Sequence, residues 1–348
     1  MRSLRKILKK IINFLLLQSL RFTKTNQFCG KKIIVFFDPT LGIGDIFMYR
    51  KTLENILNKG YQLEVISKFP KIFTSDLIWK EIEEKDFNKN LLNISRNNEL
   101  IFIPKLSARL SVSVIFSLLF HENCFITDLN KKKYFSGKDI KEYKNKSISL
   151  KGLEILSEVK INKGAEKNIE KLQLNRADFD LNLNKYIVFS CNGTEKIKMM
   201  KPSKWVDIYN QIDKKITVVI IGRGEDKKFN DILVQEIAKK GQNFLDLTNK
   251  TDLHQMFDVI RSSDYVVTTD SGPLHVAHYY KKETLALFGP SDPELVLDSN
   301  FIGKIVKKSD CDCTFEEVKN QFCPFHDGCC LNSINSELEF ENFLRNRV

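Results

Sequence analysis

The stretch from Asp264 to Pro293, DYVVTTDSGPLHVAHYYKKETLALFGPSDP, constrains the fold of this chain more than any other. Tyr265 to Thr269 is a β-branched run long enough for one buried strand. Asp270-Ser271-Gly272-Pro273 breaks it, Leu274 to Lys282 reads as a short helix, and Thr284 to Phe288 is a second buried strand closed by Gly289-Pro290. Strand, tight polar turn, helix and strand make one βαβ unit of a parallel sheet. Ligands of such sheets sit beyond the carboxyl ends of the strands, where both Asp270-Ser271-Gly272 and Gly289-Pro290-Ser291 fall. Gly272 lets the backbone approach a ligand closely, and the N–H groups opening the helix can hold an anion. On spacing alone, an ordinary turn with Asp270 as a helix cap reads equally well.

A second β-loop-α-β pattern lies near the amino terminus. Lys32 to Phe37 is a strand, Asp38 to Asp45 a turn, Ile46 to Lys59 a helix and Leu63 to Ser67 the next strand. The turn contains glycines but is not Gly-x-Gly-x-x-Gly, so a dinucleotide fingerprint is absent. Asp45 is placed to cap the helix that follows. Residues 99–103 and 123–127 are further strand candidates, with an apolar helix from Leu106 to Phe120 between them. Lys131 to Lys185 reads as surface helices and loops, ending in a linker near Asp178 to Asn184. Tyr186 to Cys191 then opens a second domain, and Thr217 to Ile221 is its next buried strand. A chain of 348 residues accommodates two such domains, each with its own core. The formal net charge of +11 favours a polyanionic partner: a nucleotide, a phosphorylated lipid or an acidic membrane face. Nucleic acid is disfavoured, because no basic run is interleaved with aromatic residues.

Residues 1–30 stand apart as a basic amphipathic extension. Arg2, Arg5, Lys6, Lys9 and Lys10 alternate with aliphatic residues, and an uncharged run of ten follows from Ile11 to Leu20. That is half of the ~20 residues needed to span a bilayer, and no small-x-small cleavage site follows. A helix lying on an anionic membrane surface fits this pattern; a helix docked on the protein itself is the alternative. The eight cysteines do not form a disulfide-scaffold pattern in so long a chain. Cys124 and Cys191 sit in apolar strand-like runs, whereas Cys311, Cys313, Cys323, Cys329 and Cys330 cluster late, around His326. Structural thiols are the preferred reading of that cluster, ahead of a metal seat and a disulfide.

The Asp264–Pro293 stretch resembles the signature of the ADP-heptose:lipopolysaccharide heptosyltransferase family, glycosyltransferase family 9. The matching positions are Asp270, Ser271, Gly272, Pro273, His275, Ala277, Leu287, Phe288, Gly289, Pro290, Ser291 and Pro293. The turn ending in Asp45 resembles the family's amino-terminal Leu-Gly-Asp motif, although Arg50 and Lys51 replace the residues expected further on. Thr194, Lys198 and Trp205 are spaced like the family's phosphate-contacting Thr-x-x-x-Lys and its following Trp. Glu225 matches the glutamate that meets the nucleotide ribose.

The resemblance implies a GT-B architecture, two Rossmann-like domains facing across a cleft. Residues 31–180 would be the acceptor-binding domain and residues 185–334 the nucleotide-sugar-binding domain. Residues 335–348 would form a helix packing back on the first domain. The implied activity is an inverting transfer that uses no metal or other cofactor, moving heptose from ADP-heptose to a lipopolysaccharide or related glycolipid acceptor. Asp45 would be the general base, and Thr194, Lys198, Glu225, Asp270, Ser271, Gly272 and His275 would bind the donor. The implied location is the cytoplasm, at the inner face of the cytoplasmic membrane. A catalytically silent sugar-nucleotide-binding subunit, or a transferase using another donor sugar, remains the alternative.

Overall fold

A computed structural model of the protein describes residues 32–94, 99–104, 124–127, 133–136, 139–142, 147–148, 151–154, 172–193, 195–223, 227–241, 243–307, 313, 323 and 330–345. The basic extension, the expected helix at Leu106–Phe120, Thr194 and Glu225 lie outside the described residues. The chain divides into two compact units, Met1–Gln173 and Leu174–Val348.

In the first unit, the aliphatic run of β1 (Lys32–Phe36) is almost wholly buried. The next elements are α1 (Ile43–Met48), α2 (Arg50–Asn58), β2 (Gln62–Ser67), β3 (Ile78–Glu81), α3 (Phe87–Ile94) and β4 (Leu100–Ile103). β5 (Cys124–Thr127), β6 (Lys133–Ser136) and β7 (Asp139–Glu142) complete the sheet among the described residues. The strand order is β3-β2-β1-β4-β5-β6-β7, parallel from β3 to β5. β6 and β7 run antiparallel as an edge hairpin. The expectation of only helices and loops beyond Lys131 is thus corrected: β6 and β7 are strands too short for a clear alternation to show against a lysine-rich background. The expected helix from Ile46 is also divided at Tyr49, whose backbone leaves the helical region (ψ 0°). Its buried ring sits edge-on against Phe102 at 5.6 Å and Phe37 at 6.1 Å, holding the break in the core.

The second unit comprises β8 (Tyr186–Ser190), α4 (Pro202–Tyr209), β9 (Thr217–Ile221), α5 (Lys227–Ala238), β10 (Phe244–Asp246), α6 (Leu253–Ser262) and β11 (Tyr265–Thr269). α7 (Gly272–Tyr279), β12 (Glu283–Phe288), α8 (Pro293–Val296), β13 (Gly303–Lys307) and α9 (Ser336–Arg345) follow. Its six strands are all parallel, in the order β10-β9-β8-β11-β12-β13. This is the doubly wound arrangement, whose direction of growth reverses between β8 and β11. Loops leaving the carboxyl ends of those two strands diverge to opposite faces, so the crevice between them is where a ligand is held. Fully buried Trp205 of α4 packs on Phe189 of β8, with ring centroids 5.4 Å apart, and fixes the helix after the first of these loops.

Two expected boundaries shift. The division falls ahead of the expected linker at Asp178–Asn184, because the chain from Arg176 to Phe179 is anchored to α6. Buried Asp258 accepts from the N–H groups of Ala177 and Phe179, each at 3.0 Å, and from Arg176 Nε at 3.1 Å. The terminal helix belongs to the second unit and not, as expected, to the first. Phe340 and Phe343, one turn apart in α9, are fully buried in that unit's core, and Phe343 meets Tyr265 of β11 edge-on at 5.9 Å. Burying two phenylalanines is worth about 1.5–3 kcal/mol each. An ion pair between Glu339 and Lys304 and a 3.0 Å bond from Ser336 Oγ to Lys204 O add direction.

Candidate functional site

The loops after β8 and β11 meet at the point where the strand order reverses. Register pairs Ser190 with Thr268, so the chain leaves both strands at the same level. After β11 the backbone turns at Asp270 into α7, with Ser271 as the N-cap residue and Pro273 in the first turn. The Asp270 carboxylate does not cap that helix. It accepts from Lys198 Nζ at 2.7 Å, across 72 residues of sequence. Lys198 closes a 3-10 turn, Lys196–Lys198, in the loop after β8, and Glu195 lies 3.7 Å from the same ammonium.

Asp270 is 7% exposed. Burial pushes its carboxyl upward, but the charge and hydrogen bond of Lys198, with Ser291 and His275, outweigh burial and hold it below its ordinary value. Asp270 therefore stays ionised at neutral pH. His275, one turn into α7, is pushed down to about 4 by burial, against the pull of Asp270 and with help from His278 and Lys198. A neutral buried imidazole offers one donor and one acceptor but no positive charge. The cation of this site is Lys198.

Neighbouring loops close around this pair. Buried Asn192, just after β8, packs on the turn after β9, where a Cβ on Gly222 would lie 3.1 Å from Asn192 Nδ2. Gly289, after β12, faces Ile197, and a Cβ there would sit 3.5 Å from the Ile197 carbonyl oxygen. Ser190 Oγ and Thr269 Oγ1, at the ends of β8 and β11, are buried without a partner among the described residues. Polar groups left so at strand ends are a mark of a functional site.

A family model for glycosyltransferase family 9 (heptosyltransferase) matches residues 153–316, the span that carries all of these loops. Over that span this chain is similar to glycosyltransferase family 9. The chain is 27% identical over 128 residues to lipooligosaccharide heptosyltransferase 2 of Campylobacter jejuni, which is 36% of this chain and 39% of that relative's length. It thus spans about two fifths of the curated relative. Its fold is similar to a family 9 glycosyl transferase from Veillonella parvula, with a TM-score of 0.66 at 13% identity, covering 93% of this chain and 98% of that one. It is also similar to the Escherichia coli ADP-heptose lps heptosyltransferase II, with a TM-score of 0.56 at 15% identity, covering 91% and 100%. The fold class is therefore GT-B, as the sequence implied.

In the first unit, Asp45 lies in the first turn of α1. The helix begins at Ile43, ahead of the expected Ile46, so Gly42 and not Asp45 is its N-cap residue; Asp45, at the third helical position, reaches back with Oδ2 to accept from the Gly42 N–H at 2.7 Å. The remaining carboxylate oxygen keeps acceptor capacity, and the residue is half-buried. Sequence reasoning missed Lys68. It follows β2, the parallel neighbour of β1, and donates to Pro39 O at 2.5 Å. Burial lowers its pKa, while Glu84, Asp45 and Asp38 pull it back up. Adjacent parallel strands deliver their next residues to one edge, which is the signal that could have found it. Asn192, which packs on the turn after β9, was missed as well.

The depressed His275 gives a pH prediction. The unfolded chain binds a proton there below its ordinary 6.5 and the native state only near 4. Stability is therefore full above about 6.5 and falls as pH drops toward 4, by up to about 3 kcal/mol. Asp270, held below its ordinary 3.8, adds a loss only at lower pH. Denaturant titrations at several pH values should show this slope, and His275→Gln should flatten it between 4 and 6.5. An unchanged slope in the variant would assign the effect elsewhere.

Proposed function

We propose that this protein transfers heptose from ADP-heptose to a lipopolysaccharide or lipooligosaccharide core acceptor, with inversion and with no metal in the chemistry. The observation that carries this reading is the buried Lys198–Asp270 pair at the switch point of the second sheet, inside the span that matches the family. An ammonium has three donors, so Lys198 can keep its bond to Asp270 while it donates to a diphosphate. With Thr194 and the N–H groups opening α7, it would neutralise the departing nucleoside diphosphate. Asp270 orients Lys198 and, with Ser271 and Gly272, would meet the donor sugar, and Glu225 would accept from the ribose hydroxyls. His275 would supply a neutral hydrogen bond. On the first unit, Asp45 would take the proton from the acceptor hydroxyl, and Lys68 would favour its ionised form.

The test is a transfer assay on the full chain, with ADP-heptose and a lipid-A-core acceptor, read as ADP release and as the mass of the product. ADP binding without transfer to any such acceptor would favour a sugar-nucleotide-binding subunit. Failure to bind ADP at all would overturn the reading.

We also propose that residues 1–30 hold the protein at the inner face of the cytoplasmic membrane. They lie outside the described residues, and no helix among the described residues is long and apolar enough to cross a membrane. Removing residues 1–28 should shift the protein from the membrane to the supernatant. Retention of the truncated chain on membranes would sink this idea.

A further inference from the structure

Cys313, Cys323 and Cys330 bring their three Sγ atoms within 4.8 Å of one another. Cys323 and Cys330 are buried, at 2% and 0% exposure, and Cys313 is half-buried beside them. Cys313 Sγ and Cys323 Sγ are 3.8 Å apart, far longer than the ~2.05 Å of a disulfide. A tetrahedral ion with metal–sulfur bonds of ~2.3 Å holds its thiolates ~3.8 Å apart, which is the spacing of the Cys313–Cys323 pair. The cysteines at 124 and 191 show the contrasting arrangement: each is buried in a strand-like run of a sheet core, with burial raising its thiol pKa.

We infer that Cys313, Cys323 and Cys330 are three ligands of one structural zinc or iron ion that braces the loop bearing Lys198. Thiolate sets select these metals over magnesium or calcium. Each thiol would release its proton to solvent on binding, and the ion stays in its divalent state throughout. Cys311, His326 and Cys329 flank the three in sequence and have the chemistry of a fourth ligand.

The placement gives the ion a task. The apolar cluster around the three thiols contains Ile197, which lies between Lys196 and Lys198 in the 3-10 turn. A Cβ on Gly289 would lie 3.5 Å from Ile197 O and 3.7 Å from Cys330 Cβ, so turn, glycine and thiol are in one packed layer. Beyond Cys330, Asn332 Oδ1 accepts from Lys201 N at 2.9 Å and Ile334 O accepts from Lys204 Nζ at 3.0 Å. Residues 330–334 therefore hold the chain from Ile197 to Lys204. Metal ligation by the three thiols would crosslink this layer. The site is separate from the proposed reaction, and its test does not depend on transfer.

The full chain, expressed with zinc and iron both available and purified without chelator, should carry about one ion per chain by elemental analysis. The element found separates zinc from iron. Cobalt added to stripped protein should give a thiolate charge-transfer band, and Cys323→Ser or Cys330→Ser should lose both the ion and the band. Should those variants fail to fold, stripping and refilling the parent serves instead: its melting temperature should fall with the metal and return with it. Metal-free parent protein with reactive thiols that gives no cobalt band, or an intact mass lower by two hydrogens with a mapped disulfide among these cysteines, would overturn the inference. So would a melting temperature indifferent to the ion.

Discussion

Asp45→Asn should lower transfer turnover by about two to four orders of magnitude, the usual contribution of a positioned general base. The substitution isolates that role because the carboxamide oxygen can still accept from the Gly42 N–H, as Asp45 Oδ2 does at 2.7 Å. Asparagine keeps the size of aspartate and this one hydrogen bond to Gly42, so melting temperature and ADP affinity should stay close to those of the parent. What disappears is the group that can take a proton, and the negative charge beside Lys68. If the variant keeps most of its turnover with saturating donor and acceptor, Asp45 is a cap only. Turnover that returns at high pH, without asparagine titrating, would point instead to Lys68 as the group that matters.

Lys198→Met should weaken ADP binding by about 10- to 100-fold, the equivalent of one or two hydrogen bonds to a charged group. It should also destabilise the fold. Asp270 is left buried and ionised, and removing one member of such a pair typically costs about 3–5 kcal/mol. Lys198 keeps 20% of its side chain exposed, so the lower end of that range is expected. The two effects separate in a second variant. Adding Asp270→Asn to Lys198→Met removes the stranded charge and should restore most of the stability without restoring ADP affinity. Calorimetry with ADP and thermal unfolding of the three proteins measure both. Parental ADP affinity in Lys198→Met would mean that the diphosphate site lies elsewhere on the chain.

Much of this site was legible because its signals are local. Asp270 to Gly272 interrupts a β-branched strand just where a short helix begins, and that alone locates a strand-end turn in a parallel sheet. The lysine at 198 drew notice through its spacing to Thr194 and Trp205, yet nothing within that loop separates it from Lys196 or Lys201. The structure singles out Lys198, whose ammonium donates to Asp270 at 2.7 Å. The role of Asp270 changes in the same step, from a possible helix cap to the partner that orients the cation. The resemblance gives His275 a place among the donor-binding residues but not its charge. Burial to 6% makes it neutral, and that depends on the surrounding core and not on its neighbours in sequence.

The amino-acid pattern by itself determined the parallel α/β class, the order of the main elements and the polar turns at the strand ends. Hydrophobic period and turn chemistry are properties of a few consecutive residues, and they act before any distant contact forms. Tertiary structure alone decided which turns meet. The order β10-β9-β8-β11-β12-β13 sets the loops after β8 and β11 side by side, which joins Lys198 to Asp270. The same kind of long-range choice sends α9 to the second unit, since Phe340 and Phe343 bury most area there. It also gathers three cysteines from a segment without regular periodicity, so their convergence has no trace in local pattern. A pairing between residues far apart is set by strand order and by the entropy of closing the loops between them, and neither is written in the residues being paired.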